Sequence, residues 1–238
     1  MAEPDSEEKR HKDMIAVAAH ELRNPVAAIL GALDLLMDSK VLGEELPPKT
    51  RGIIEMMFNT SKRMLRLLND YLDLEKMEAL GGGAFRHTSV DVAAVARQVL
   101  DMNRPLARQR GIELVLDESQ PGLRAMASSD RLAQVVTNLV SNAIKFTKDK
   151  TVVSVRIAAV DGRIRVSVDD QGPGIPEEFQ TRIFQKFAQD PNIGKKVGGS
   201  GLGLAISKTI VERMGGKIGF ETRAGQGATF FFELPKSA

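Results

Sequence analysis

The sequence contains no cysteine, which removes disulfide frameworks, thiolate metal sites and cysteine nucleophiles and suits a cytoplasmic protein. No apolar run approaches the roughly 18–20 residues that cross a bilayer, and no signal-peptide pattern opens the chain. An excess of charge is missing too. The 33 Lys and Arg stand against 31 Asp and Glu, so bulk electrostatics argue for neither a nucleic-acid partner nor a membrane surface. No GxxxxGK[ST] segment occurs, which excludes a P-loop, and Gly199-x-Gly201 follows a loop rich in Lys and Gly rather than a strand, so a Rossmann turn fails as well. What is present, 238 residues that are 42% hydrophobic and 27% charged, is an ordinary globular composition. It has room for one large domain or two modest ones, each with a real core. Met1-Ala2-Glu3-Pro4 leads directly into a charged helix-like stretch, and the chain is expected to be a fragment of something longer.

From about Glu7 to Lys40 the apolar positions step by three and four: Ile15, Ala18, Leu22, Pro25, Ile29, Ala32 and Leu36. From about Lys49 to Leu80, Ile54, Met57, Ser61, Met64, Leu68 and Tyr71 do the same, flanked by a row at sevens, Ile53, Thr60, Leu67 and Leu74. This spacing predicts two long helices packed along a coiled-coil-like seam. Leu42-Gly43 and Pro47-Pro48 form a break too short for anything but an antiparallel return. Two helices bury little alone. The wide apolar face of the second predicts that two hairpins pair into a four-helix bundle, which makes the protein a homodimer.

With Ile15 and Leu22 at heptad position a and Ala18 at d, His20 falls at f, farthest from the seam. A lone exposed histidine is more often solvated surface than chemistry. The neighbours of this one change the balance. Glu21 adjoins it, and Asn24 lies one turn later on the same face. Pro25 lacks the N–H that would bond the Glu21 carbonyl, which predicts a bend one turn after His20. His11 and His87 have no such company and read as surface.

Gly81-Gly82-Gly83 marks a flexible boundary. It divides the chain into a helical hairpin at 1–80, a linker at 81–84 and a second domain at 85–238. Beyond it the periodicity changes. Helices are expected over Asp91–Arg108, Asp130–Lys145 and about Leu202–Met214. A short strand carries Ile112, Leu114 and Leu116, and two alternating strands carry Val153, Val155, Ile157 and Ile164, Val166, Val168 about an Asp161-Gly162 turn. A last pair covers Lys217–Glu221 and Gly227–Leu234. Helices gathered with mostly antiparallel strands predict a two-layer α/β sandwich, and with the hairpin the chain is of the α+β class. Its irregular stretch holds two glycine clusters, Asp170-Gln171-Gly172-Pro173-Gly174 at a strand end and Gly198-Gly199-Ser200-Gly201-Leu202-Gly203 opening a helix. Such glycines let backbone N–H groups approach a ligand, and a helix N-terminus favours phosphate, although each cluster alone is more often just a turn.

Read together, these segments resemble the catalytic core of the sensor histidine kinases of two-component signalling. His20-Glu21-Leu22-Arg23-Asn24-Pro25 resembles the H box, and Asn138 through Phe146 (NLVSNAIKF) resembles the N box. Asp170 through Gly174 is similar to the first glycine box, Phe184-Gln185-Lys186-Phe187 to the F box, and Gly199 through Leu204 to the second glycine box. Five motifs in family order cover the chain from about residue 10 to 234. The resemblance implies that the second domain is the ATP-binding sandwich shared with gyrase, mismatch-repair and heat-shock chaperone ATPases.

It also implies roles. Asp170 accepts a hydrogen bond from the adenine amino group, where guanine would present a repelled carbonyl oxygen. Asn138 and Asn142, four apart on one helix face, offer amide oxygens to Mg²⁺, and Lys145 a charge to a phosphate. Phe146, Gly172, Gly174, Phe187, Gly199, Gly201, Leu202 and Gly203 complete the nucleotide site, while Lys195 or Lys196 could reach the γ-phosphate. His20 is the phosphoryl acceptor, with Glu21 as proton partner and Asn24 orienting water for dephosphorylation of a response-regulator receiver domain. An upstream sensor domain is implied and is not in this chain. The triple glycine is extra length compared with the family pattern. Two other readings stay open: an ATPase of this fold that uses the hairpin only to dimerise, and a catalytically silent dimeric scaffold.

Overall fold

The computed structural model describes residues 23–37, 46–79, 86–118, 120–190, 200–223 and 225–237. His20, Glu21, the triple glycine, Lys195, Lys196 and Gly199 lie outside them, as does the first predicted helix apart from 23–37. The chain divides into two compact units, Met1–Ala79 and Leu80–Ala238.

In the first unit, helix α1 covers 23–37 and α2 covers Pro48–Ala79. Pro48 suits the first helical position because its missing N–H has no intrahelical partner there, and the ladder opens with Arg51 N–H on the Pro47 carbonyl at 3.0 Å. Arg23 Nε donates to Asn69 Oδ1 at 3.1 Å, joining the start of α1 to the later part of α2 as an antiparallel return requires. Burial corrects the reading of the seam. Val26, Leu33, Ile54 and Leu72 are buried, whereas Ile29 (46% exposed), Leu36, Met57 (48%) and Met64 (53%) are open to solvent. The row taken as one seam is therefore two adjacent stripes. An apolar face wider than one neighbour can cover leaves its flank uncovered, because steps of three and four rotate successive side chains around the helix.

In the second unit the elements run β1 (Thr88–Asp91), α3 (Val92–Gln109), β2 (Glu113–Asp117), β3 (Arg124–Ala127), α4 (Ser129–Phe146), β4 (Val152–Val160), β5 (Arg163–Asp169), α5 (Glu177–Gln180), α6 (Gly203–Arg213), β6 (Lys217–Thr222) and β7 (Ala228–Pro235). Five strands form one mixed sheet in the order β2-β4-β5-β7-β6, in which only β2 and β4 run parallel. Strands β1 and β3 make a separate antiparallel pair that the sequence did not signal. The hairpin β4–β5 turns at Asp161 (φ 50°) and Gly162 (φ 76°), the two left-handed positions that an Asp-Gly turn supplies at low cost.

Alternation builds the core. Val153, Val155 and Ile157 of β4, Ile164, Val166 and Val168 of β5, and Phe232 and Leu234 of β7 are buried, as are Leu132, Val135, Val136, Leu139, Val140 and Ile144 of α4. Each such side chain contributes about 1.5–3 kcal/mol, so the sheet-to-helix layer dominates stability. The other sheet face stays polar, with Arg165 held between Glu233 (2.6 Å) and the Phe231 ring (4.2 Å). Asp91 caps α3 by accepting from Ala94 N–H at 3.0 Å.

Candidate functional site

Asp170 follows β5 directly, and the end of the β5–β7 ladder grips it. Its N–H donates to the Ala228 carbonyl at 2.9 Å, and its Oδ1 accepts from Gly172 N–H (2.8 Å) and Ala228 N–H (3.3 Å). Its other carboxylate oxygen takes no hydrogen bond among the described residues. Burial pushes the Asp170 carboxyl above the ordinary carboxylate range, the two backbone donors draw it back in part, and the neighbouring Asp169 adds to the rise. The result is a half-buried carboxyl with its direction fixed and one acceptor oxygen uncommitted.

The glycines beside it have steric reasons. A Cβ on Gly172 would come within 2.8 Å of both Asp170 Oδ1 and the Phe146 carbonyl oxygen. At Gly174 the backbone is left-handed (φ +78°), and a Cβ would lie 2.5 Å from the Arg223 carbonyl oxygen. The turn between β6 and β7 backs this loop. Gly225 N–H donates to the Pro173 carbonyl at 2.8 Å, and Thr222 Oγ1 accepts from Ile175 N–H (3.0 Å) while donating to the Gly227 carbonyl (3.0 Å).

Helix α4 meets the loop at its C-terminal end, where the buried Thr147 Oγ1 accepts from Gln171 N–H at 3.1 Å. One face of α4 carries Asn138 and Asn142. Asn138 Nδ2 donates to Ser207 Oγ of α6 at 2.8 Å, and Gly203 lies so close to the Asn138 side chain that a Cβ there would collide with it. Asn142 is half-buried with no hydrogen-bond partner among the described residues. The Lys145 ammonium lies 4.9 Å from the centroid of the half-buried Phe146 ring. At the start of α6, Ser200 Oγ accepts from Leu202 N–H at 3.1 Å, and Leu202 is fully buried. Gly201 (φ +70°) packs against the backbone of Phe187 and Ala188, leaving no room for a Cβ. Phe187 itself is held at φ +61° and is 58% exposed, a conformation costing a bulky residue about 1–3 kcal/mol.

The structure thus brings together Asn138, Phe146, Asp170, Gly172, Gly174, Phe187, Gly201 and Gly203 through contacts of α4 with the loop after β5, of α4 with α6, and of α6's leading loop with Phe187. Lys145 and Asn142 lie on the same helix, and Leu202 anchors the second cluster from below. In the first unit Asn24 and Pro25 are exposed on α1. The sequence reading missed Thr147, Thr222, Gly227 and Ala228. Gly227 is read from the sequence only as the first residue of the last strand, and nothing in the pattern sets the two threonines apart.

A half-buried carboxyl at a strand end, faced by an asparagine-bearing helix and two tight glycine loops, defines a nucleotide-binding α/β sandwich. A family model described as the histidine kinase-, DNA gyrase B- and HSP90-like ATPase matches residues 127–238, and one described as the His Kinase A (phospho-acceptor) domain matches residues 10–80. The chain is 36% identical over 230 residues to the circadian input-output histidine kinase CikA of Synechococcus elongatus, covering 94% of this chain and 30% of that one. It is 37% identical to the sensor histidine kinase AruS of Pseudomonas aeruginosa, covering 92% of this chain and 22% of that one. The crystal structure of full-length ShkA in complex with AMPPNP is similar with a TM-score of 0.79 at 33% identity, covering 95% of this chain and 46% of that one. The catalytic domain of histidine kinase ThkA matches with a TM-score of 0.56 at 33% identity, over 64% of this chain and 97% of that domain. The chain belongs to the sensor histidine kinases of two-component signalling and carries their catalytic core, including an ATP-binding domain. It spans under a third of the length of these curated relatives. No helix among the described residues is long and apolar enough to cross a membrane.

Proposed function

We propose that this chain autophosphorylates His20 from ATP, passes the phosphoryl group to an aspartate of a response-regulator receiver domain, and also dephosphorylates that regulator. In this reading residues 1–80 are the dimerisation and phosphoacceptor hairpin, 81–84 a linker, and 85–238 the catalytic domain. The observation that carries it is the oriented Asp170 carboxyl with one free acceptor oxygen. That geometry suits the adenine amino group, a donor, and disfavours guanine, which presents an acceptor at the same edge.

The residues of α4 fit a magnesium ion. The amide oxygen of Asn142 is uncommitted, and the Asn138 amide bonds Ser207 through its nitrogen, while its oxygen packs against Gly203 and takes no hydrogen bond among the described residues. Neutral amide oxygens are hard donors suited to a hard cation that shares its shell with nucleotide phosphates. No group of three or more His, Cys, Asp or Glu side chains among the described residues offers a rival metal site. Bound there, Mg²⁺ supplies neutralising charge on the phosphates. Lys145 adds a point charge, and the N–H groups at the start of α6 add dipoles. In this reading Phe146, Gly199, Gly201, Leu202 and Gly203 also serve the nucleotide, and Lys195 or Lys196 reaches the γ-phosphate.

His20 must attack unprotonated, a state open to imidazole near neutral pH. Glu21 fixes the tautomer and takes up the proton, and Asn24 orients the water that dephosphorylates the regulator. The exposed row of Ile29, Leu36, Ile53, Met57 and Met64 supports a second copy as the partner that covers it, completing a four-helix bundle. A sensor domain outside this chain would set the kinase and phosphatase balance.

The test is incubation with γ-labelled ATP. Acid-labile, base-stable label that disappears in His20→Ala, with ATP affinity kept within a few-fold, is the expected result. ATP hydrolysis without such label would leave a dimeric ATPase, and no turnover at all would leave a silent scaffold.

A further inference from the structure

Arg110 caps α3 and belongs to no motif, yet its guanidinium serves the far end of α4. Nη1 donates to the carbonyls of Ile144 and Lys145, the latter at 3.2 Å, and Nη2 donates to the Thr147 carbonyl at 2.8 Å. Nε bonds Asp149 Oδ1 at 2.8 Å, which turns the fork toward the helix end. The last carbonyls of a helix have no partner within it, and a cation there also meets the negative end of the helix dipole. The nucleotide site leans on this same stretch of backbone. The Phe146 carbonyl oxygen abuts Gly172, and the hydroxyl of Thr147, a residue only 2% exposed, holds the N–H of Gln171, next to Asp170. Lys145, whose carbonyl Arg110 grips, is in the same turn.

We propose that Arg110 and Thr147 are positioning residues for the nucleotide site: the guanidinium fixes the last turn of α4, and Thr147 transmits that position to the loop that aims the Asp170 carboxyl. The role rests on Asp170 being the group that reads the nucleotide base. Neither residue touches the nucleotide in this scheme. Both act through where Asp170 points. Arg110 suits the task better than a lysine because a planar fork can serve three carbonyls and a carboxylate at once, whereas an ammonium is a point charge.

A simple helix cap would lower stability without changing what the site binds, so the test is a double-mutant cycle on ATP affinity. ATP binding to the full chain with Mg²⁺ is measured by calorimetry for Arg110→Met, Arg110→Lys, Thr147→Val, Asp170→Asn and the pairwise combinations. Arg110→Met and Thr147→Val should each weaken ATP about three- to ten-fold, the scale of one lost hydrogen bond. Arg110→Lys should recover only part. In the Asp170→Asn background both losses should shrink to within about two-fold, because coupled groups are not additive. Undiminished losses in that background, or wild-type affinity with only a lower melting temperature, would overturn the proposal. If Arg110→Met does not fold, the Thr147→Val cycle decides alone, since a hydroxyl-to-methyl exchange preserves shape. Failure of the unsubstituted chain to bind ATP would instead overturn the reading of the site on which the proposal rests.

Discussion

Asn138 in α4 donates a side-chain hydrogen bond to Ser207 in α6 at 2.8 Å, and Ser207 is 1% exposed. A buried hydroxyl with one amide partner locks the rotation of that amide. Two residues 69 apart in sequence thereby join their helices at the side chain that would hold a metal-bound nucleotide.

Gly203 lies against the same Asn138 side chain. Alanine at a helix position ordinarily stabilises by roughly 0.5–1 kcal/mol relative to glycine. Here the added methyl would strike the amide, so Gly203→Ala should destabilise the domain by about 1–3 kcal/mol. Adding Asn138→Ala should recover most of that loss, as urea unfolding would show. A stabilised Gly203→Ala variant would contradict the packing.

Asp170→Asn keeps an acceptor for Gly172 and Ala228 but removes the charge. ATP affinity should fall by about 1–3 kcal/mol, the scale of an unpaired polar contact. Stability should move the other way. Because burial raises the folded-state pKa, the native state holds its proton to higher pH than the unfolded chain, and wild-type stability falls as pH rises through that window. The variant lacks this loss. It should match wild type at pH values below the ordinary carboxylate range and exceed it near neutrality. Thermal melts at both ends of the range check this, and a variant less stable at neutral pH alone would reverse the sign.

Asn24→Ala should keep autophosphorylation within several-fold while regulator dephosphorylation falls about ten-fold or more, as expected for losing a group that positions water. Glu21→Gln should slow autophosphorylation by on the order of 10²-fold. Both rates are measured for both variants with one purified regulator. Equal losses in the two activities for Asn24→Ala would reduce that residue to support of the helix near Pro25.

Met57 and Met64 stand open to solvent in the single chain. Changing both to glutamate should leave the hairpin folded yet weaken self-association by roughly 10²-fold or more, since each buried methionine contributes about 1.5–3 kcal/mol. Sedimentation at micromolar concentration reads the result. An unchanged dimer mass would remove this row from the interface.

The long elements were legible because their periods were. Val153-Val155-Ile157 and Ile164-Val166-Val168 alternate over enough residues to declare strands, and the Asp161-Gly162 turn declares their register. Strands β1 and β3 were not legible: each has four residues, Thr-Ser-Val-Asp and Arg-Ala-Met-Ala, too few to show a period, and exists by pairing with the other. The motif residues of the site could be read as a set, yet their supports could not. Arg110 is one of 33 basic residues, and what singles it out is a helix end that tertiary folding delivers to it. Thr222 likewise becomes a hub only when the turn after β6 folds over Gly174. On α2, periodicity found the apolar face but could not divide Ile54 and Leu68 from Met57 and Met64, because that division depends on which neighbour arrives first.

The sheet order β4-β5-β7-β6 consists of two local hairpins joined along one long-range ladder, β5 against β7. Asp170 and Ala228 lie where that ladder ends. The hairpins need only short loops to close, while their docking must overcome the entropy of ordering the intervening chain. The Asp170 carboxyl is therefore set in place only when the two hairpins dock, by a long-range contact. A nucleotide bound at Asp170, as proposed, would act as a staple between the hairpins, and the amides of Asp170 and Ala228 should gain more protection from hydrogen exchange on ATP binding than those within either hairpin.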